Sequence, residues 1–66
     1  MTILNLQEAA EFLKLSKNSI YSMTRQRTRE RMDAPIPVIR INGNLRFSKE
    51  SLIEWLRNLE QSRGTQ

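Results

Sequence analysis

Residues 6–24 read LQEAAEFLKLSKNSIYSMT, and this stretch contains two helix starts only a few residues apart. The first helix begins near Leu6, because Asn5 is a favoured N-cap residue and Glu8 follows it at capping-box spacing. The carboxylate of Glu8 is also favourable in the positive first turn of a helix. Apolar side chains then recur at helical intervals, at Leu6, Ala9, Ala10 and Leu13.

The second helix begins after Ser16, which is again an N-cap residue. Ile20 and Met23 form its apolar side. Its other side is polar or amphipathic and carries Asn18, Tyr21, Ser22 and Arg25. Only residues 14–16 separate the two helices, and so short a connection predicts a helix-turn-helix.

The positions where two such helices cross are filled as the arrangement requires. Ala10 is the small residue at the crossing. The apolar residues expected around it are Ala9, Leu13, Leu15, Ile20 and Met23. Lys14 stands where the turn often has glycine, so the turn is either strained by about 1 kcal/mol or differently shaped.

A β-hairpin follows, since Ile39, Ile41, Leu45 and Phe47 alternate with Arg40 and Arg46. A two-residue turn at Asn42-Gly43 would pair Arg40 with Leu45 and mix charged with apolar side chains on each face. A three-residue loop, Asn42-Gly43-Asn44, would pair Arg40 with Arg46 and leave the other face wholly apolar. We therefore expect the three-residue loop, with Asn44 in the left-handed conformation.

A last helix is capped by Ser48 and ends near residues 59–61, with a fraying tail that includes Gly64. Its broad apolar stripe comprises Leu52, Ile53, Trp55, Leu56 and Leu59. Residues 25–37 are expected to be non-helical, since Pro35 and Pro37 favour extended backbone. The sequence thus predicts a small α+β fold, a winged helix-turn-helix, as one domain over residues 1–66 with an ordered core of about 3–61.

The composition excludes several classes of protein. The 66 residues include neither cysteine nor histidine, so disulfides, thiolate nucleophiles and imidazole bases are lacking. We expect no enzyme activity, no metal site and no cofactor. No segment reaches the roughly 20 apolar residues of a membrane span, and the first residues do not resemble a signal peptide. A cytoplasmic location is therefore expected.

The charge distribution favours a polyanionic partner. The chain carries a net charge of +4, but residues 14–49 hold nine basic side chains against two acidic ones, a local charge of +7. The remainder of the chain has a charge of −3. Basic charge gathered in one part of a chain is typical of a protein that presents one face to nucleic acid.

Four segments together resemble the excisionase family of winged helix-turn-helix DNA-binding domains, also called recombination directionality factors. They are LQEAAEFLKLS at residues 6–16, SIY at 19–21, IPVIRI at 36–41, and Phe47-Ser48 with LIEWL at 52–56. The resemblance covers about residues 4–59, and related domains occur in phage-type AlpA/MerR-like regulators. Two departures are Lys14 in place of glycine and a longer, arginine-rich connection over residues 25–34.

The resemblance implies sequence-directed binding of double-stranded DNA, with the second helix as recognition helix and the hairpin as wing. The candidate contacts on the helix are Ser16, Lys17, Asn18, Ser19, Tyr21, Ser22 and Arg25. The candidate contacts in the loop and wing are Arg27, Arg29, Arg40, Asn42, Gly43, Asn44 and Arg46. Each has a plainer interpretation: a solvated helix face, a Tyr21 that covers the core edge, a solvated arginine run, or a charged wing that blocks aggregation.

The role that the resemblance implies is that of an excisionase, which bends attachment-site DNA so that a site-specific integrase performs excision. Its expected partners are double-stranded DNA, that recombinase and neighbouring copies of the chain on DNA. A transcriptional regulator with the same fold and a basic protein-interaction module are the alternatives. Trp55 is expected in the core rather than as a base-stacking platform.

Overall fold

The computed structural model describes residues 1–31 and 34–64, the last three of these by their backbone alone. Within these residues it contains four helices and three strands. In chain order they are β1 (Ile3–Leu4), α1 (Leu6–Leu13), α2 (Lys17–Thr24), α3 (Gln26–Arg31), β2 (Ile39–Ile41), β3 (Asn44–Ser48) and α4 (Lys49–Gly64). The predicted α+β winged helix-turn-helix is confirmed, with α1 and α2 as its two helices and the β2–β3 hairpin as its wing.

The helices begin at the predicted caps. At the start of α1 the Glu8 backbone N–H donates to Asn5 Oδ1 at 2.8 Å, and the Asn5 backbone N–H donates to Glu8 Oε1 at 2.9 Å. This reciprocal pair is the predicted capping box. Ser16 Oγ accepts from the Ser19 backbone N–H at 3.1 Å. Ser48 Oγ accepts from the Ser51 backbone N–H at 3.3 Å and caps α4 in the same way.

Of the two possibilities for the turn between α1 and α2, strained or differently shaped, the structure has the strained one. Lys14 has a φ of 57° and a ψ of 42°, the left-handed conformation that glycine adopts without cost. The Leu15 backbone N–H donates to the Ala10 carbonyl at 2.9 Å, and the Lys14 N–H donates to the Glu11 carbonyl at 3.3 Å. This is the Schellman pattern, which satisfies the last carbonyls of α1.

The core lies where the helix pair meets β3 and α4. Its buried apolar side chains are Ala9, Ala10, Ile20, Ile36, Phe47 and Leu52. The half-buried Leu13, Met23 and Trp55 pack against this cluster, as expected. Leu15 does not: it is 45% exposed, because it lies on the outside of the turn where the chain reverses. Its expected place in the core was wrong.

Helix α4 buries a narrower stripe than expected and extends further. Leu52 is buried and Trp55 is half-buried, whereas Ile53 and Leu56 are each 40% exposed. Ile53 and Leu56 lie at the edges of the buried stripe of α4, where the helix surface turns toward solvent. The helix runs to Gly64 rather than ending near residue 61, and the final two residues of the expected fraying tail lie outside the described residues. Among the described helices, none combines the length and apolar character of a membrane span.

The sequence did not predict strand β1 or helix α3. Strand β1 pairs antiparallel with β3, Ile3 opposite Ser48 and Leu4 opposite Phe47, and makes the sheet three-stranded in the order β1-β3-β2. Helix α3 occupies part of the segment expected to be non-helical. Pro35 and Pro37 act on the backbone only after α3 has ended, so they do not prevent it.

The hairpin has the two-residue turn, so the expected three-residue loop was wrong. Asn42 has a φ of 49° and Gly43 a φ of 80°, and two consecutive positive values define the type I′ turn that Asn-Gly favours. Asn44 is the first residue of β3 and is not left-handed. The twist of a type I′ turn matches the twist of the strands. The preference of Asn42-Gly43 for this turn outweighs the free energy that burial of Ile39 and Ile41 would contribute at a sheet edge.

The corrected register redistributes the wing side chains between its faces. Arg40 lies opposite Leu45, on the same face as Phe47, and Ile41 lies opposite Asn44. Ile39 lies opposite Arg46, so the expected pairing of Arg40 with Arg46 was also wrong.

Candidate nucleic-acid interface

Helix α2 presents one continuous polar face to solvent. Asn18, Tyr21, Ser22 and Arg25 are all exposed, whereas Ile20 and Thr24 on the opposite side are buried. The Arg25 guanidinium carbon lies 5.8 Å from the centroid of the Tyr21 ring, which is cation–π range. Tyr21 is 51% exposed, so it belongs to this face rather than to the core edge. The structure thus brings these four predicted residues together.

The start of α2 adds Lys17, whose side chain is exposed, and two serines that are already engaged. Ser16 Oγ donates to Ser19 Oγ at 2.9 Å while it accepts from the Ser19 backbone N–H. Ser16 Oγ therefore caps the helix and Ser19 Oγ accepts a hydrogen bond from it, although both residues remain exposed. A groove contact from either serine has to coexist with this cap.

A second basic feature lies at the corner between α2 and α3. Arg25, Arg27 and Thr28 line a concavity of about 370 Å³, and Arg25 also belongs to the polar face of α2. Arg25 adopts extended backbone, with φ −71° and ψ 141°, and this bend separates the two helices. Thr28 was not among the candidate residues, because α3 was not predicted. A local signal for α3 is the four-residue spacing of Gln26 and Glu30, because Gln26 Nε2 donates to Glu30 Oε1 at 3.2 Å.

Two of the candidate arginines donate to backbone carbonyls several residues away in the sequence. The half-buried Arg29 donates from its guanidinium to the Ile36 carbonyl, which fixes the segment before the wing. Arg40 donates to the Thr24 carbonyl at 2.8 Å, at the carboxyl end of α2. A cation at that end of a helix meets the negative pole of its dipole. These two side chains hold in place the elements that carry the candidate residues.

The wing tip and Arg46 are the remaining parts of the candidate interface. Asn42, Gly43 and Asn44 are exposed at the tip of the hairpin. Arg46 is half-buried, and one of its guanidinium nitrogens donates to the Leu45 carbonyl at 2.7 Å. Its remaining N–H groups give this face of the wing a positive charge next to Asn44.

The helix pair and the wing are the parts of a winged helix-turn-helix fold. The chain belongs to the family described as "Helix-turn-helix domain", whose family model matches residues 3–60. It is therefore a sequence-specific DNA-binding protein whose partner is double-stranded DNA. No curated protein and no solved structure matches the chain significantly.

Proposed function

We propose that this protein is an excisionase-type architectural factor, which binds and bends attachment-site DNA and directs a site-specific integrase toward excision. The observation that carries the proposal is the hydrogen bond from Arg40 to the Thr24 carbonyl. It links the wing strand to the end of the recognition helix, so that both elements engage one duplex as a unit. The sequence resemblance to excisionases supports the same role.

In this proposal α2 enters the major groove with its exposed polar face. Asn18 is suited to a bidentate contact with adenine and Arg25 to one with guanine. Arg27 at the basic corner contacts the flanking phosphates, which position the protein without reading sequence. The wing approaches the neighbouring groove. Contacts in two adjacent grooves from one rigid body favour a duplex that curves toward the protein.

The protein acts in this proposal by binding alone. Strand cleavage belongs to the recombinase partner, and the chain itself contributes neither a cofactor nor catalysis. Free in solution it is a monomer, and on DNA it occupies repeated sites as side-by-side copies in head-to-tail order. Such sites run in the same direction, because inverted half-sites reflect a two-fold dimer.

The test compares binding of the protein to two DNAs, the attachment site and the promoter of the mobile genetic element that would encode it. We expect tight binding and a bend, measured by energy transfer between labelled duplex ends, on the attachment site. In a reconstituted reaction, the integrase encoded by the adjacent gene should excise more DNA when this protein is added. Asn18→Ala should lower both effects, whereas Asn58→Ala, an exposed asparagine on α4, is the matched control and should change neither.

Two results would contradict the proposal. Binding that is confined to promoter DNA, with no effect on excision, would make the protein a transcriptional regulator. A footprint of inverted half-sites, together with a stable dimer in sedimentation, would exclude the head-to-tail arrangement.

A further inference from the structure

One face of the wing combines two exposed isoleucines with an amide and a guanidinium. The register places Ile39 opposite Arg46 and Ile41 opposite Asn44, so these four side chains share one face, here called the outer wing face. Ile39 is 37% exposed and Ile41 is 49% exposed. Ile41 is the last residue before the Asn42-Gly43 turn and therefore lies at the wing tip.

The fold does not use the outer wing face for its core. The opposite face supplies Leu45 and Phe47 to the cluster, and neither isoleucine packs against it among the residues that the structure describes. Strand β2 lies at the edge of the sheet. The two exposed isoleucines lie side by side on one face of this edge strand and form an apolar surface that the core does not use.

We propose that Ile41 is an apolar wedge that the outer wing face inserts between two base pairs from the minor groove of double-stranded DNA. The inference rests on the proposed bending function and names the side chain that produces the bend. Proteins that kink DNA from the minor groove insert an apolar side chain between base steps and hold the groove with arginine and asparagine. Arg46 and Asn44 supply those groups beside Ile39 and Ile41.

The position of the wing agrees with this contact. Arg40, between the two isoleucines in sequence, donates to the last residue of α2 from the opposite face of the strand. The wing is therefore fixed beside the recognition helix with its outer face directed away from it. When α2 lies in the major groove, the tip is held at the adjacent minor groove.

Charge and area favour DNA over a protein partner. Arg46 lies on the outer wing face, within the stretch of residues 14–49 that carries a charge of +7. The narrow minor groove has a strongly negative potential that attracts arginine. A stable protein–protein interface buries roughly 800 Å² on each partner, and the parts of two isoleucines exposed on a hairpin provide far less.

The experiment uses the full chain and duplexes that the protein itself selects from a random-sequence pool. 2-Aminopurine placed at successive steps reports unstacking by its fluorescence, and energy transfer between the duplex ends reports the bend. We expect one step to show increased fluorescence with the unsubstituted protein. Ile41→Ala should return that step to the level of free DNA and reduce the bend. Base preference at the positions read by α2 should stay unchanged.

Two further variants make the result specific. Ile41→Leu keeps an apolar wedge and should retain the fluorescence increase. Ile53→Ala removes a comparably exposed isoleucine, 40% exposed on α4, and should leave both signals unchanged. Thermal unfolding of each variant verifies the fold, and we expect little change for Ile41→Ala because its side chain lies outside the core.

The outcomes separate the wedge from the function on which it rests. If the unsubstituted protein binds its selected duplexes without bending them, the proposed architectural function fails together with the wedge. If it bends them and Ile41→Ala bends them equally, the wedge alone is overturned. If Ile41→Ala changes only the cooperativity between adjacent sites, the outer wing face is a contact between copies of the chain, and the minor-groove proposal is again overturned.

Discussion

The Arg40 guanidinium donates a hydrogen bond to the backbone carbonyl of Thr24 at 2.8 Å, across 16 positions of sequence. Thr24 is the last residue of α2, and its own Oγ1 donates to the Tyr21 carbonyl at 2.7 Å. Two carbonyls at the end of α2 are therefore satisfied by side chains. This contact links the wing to α2, whose exposed polar face is the proposed DNA-reading surface.

Arg40→Ala is expected to weaken specific binding without changing its salt dependence, because Arg40 positions the wing against α2 and does not itself contact DNA. Arg46→Ala should instead reduce the slope of log K against log salt by about 1, as the loss of a phosphate contact does. Titration of both variants on one duplex separates the two roles. A slope that falls by about 1 in Arg40→Ala would mean that this side chain contacts phosphate.

Binding of the unsubstituted protein should depend steeply on salt. We expect roughly four to six neutralised phosphates, each of which contributes about −0.9 to the slope of log K against log salt. Arg27→Ala should remove about one such contribution, because Arg27 lies at the basic corner beside the recognition face. Arg57, an exposed arginine on α4, is the matched control, and Arg57→Ala should leave the slope unchanged. A flat response in the unsubstituted protein would exclude the basic corner from the interface.

Lys14→Gly should raise the free energy of unfolding by about 0.5–1 kcal/mol, because Lys14 has a φ of 57° that glycine adopts without steric cost. Lys14→Ala is the control, since it removes the charge but keeps the Cβ atom and should give no such gain. Urea denaturation measures both. Equal stabilisation by the two substitutions would assign the effect to charge and contradict the strained turn.

Trp55→Phe should lower the free energy of unfolding by about 1 kcal/mol, the usual net contribution of a hydrogen bond. Trp55 Nε1 donates to the Ala34 carbonyl at 2.8 Å and so holds the segment before the wing against α4. Trp55→Ala should cost more, up to the roughly 3–5 kcal/mol typical of a large buried aromatic residue. Leu56→Ala, at a 40% exposed neighbour, should cost less than either. Full thermal stability of Trp55→Ala would contradict the packing of this side chain against the core.

The attachment of β1 should weaken in acid. The Thr2 backbone N–H donates to Glu50 Oε1 at 3.0 Å, and this hydrogen bond holds the pKa of the Glu50 carboxyl below its usual value. A lowered pKa in the folded state means that the contribution is complete above the unfolded pKa and is lost as pH falls through the folded one. The chemical shift of the Thr2 amide should titrate with Glu50. This titration should vanish in Glu50→Gln and persist in Glu54→Gln, and its persistence in Glu50→Gln would contradict the assignment.

The sequence alone determined the features that depend on neighbouring residues. Asn5, Ser16 and Ser48 were predicted as caps and are caps, because a capping side chain bonds to a backbone N–H three residues away. The left-handed turn was one of two alternatives, and Lys14 adopts it. The polar face of α2 followed from helical spacing, and the structure confirms its exposure.

Only the tertiary structure decided the features that depend on distant partners. Strand β1 needs β3 before its backbone groups can pair, and its Leu4–Phe47 contact joins residues 43 positions apart in the sequence. The hairpin register was mispredicted because burial of Ile39 and Ile41 was assumed, whereas the core takes only Phe47 as a buried residue from the hairpin strands and Ile36 and Leu52 from outside them. With that core complete, the turn preference of Asn42-Gly43 sets the register. Arg40 then turns toward Thr24, and the isoleucines remain exposed.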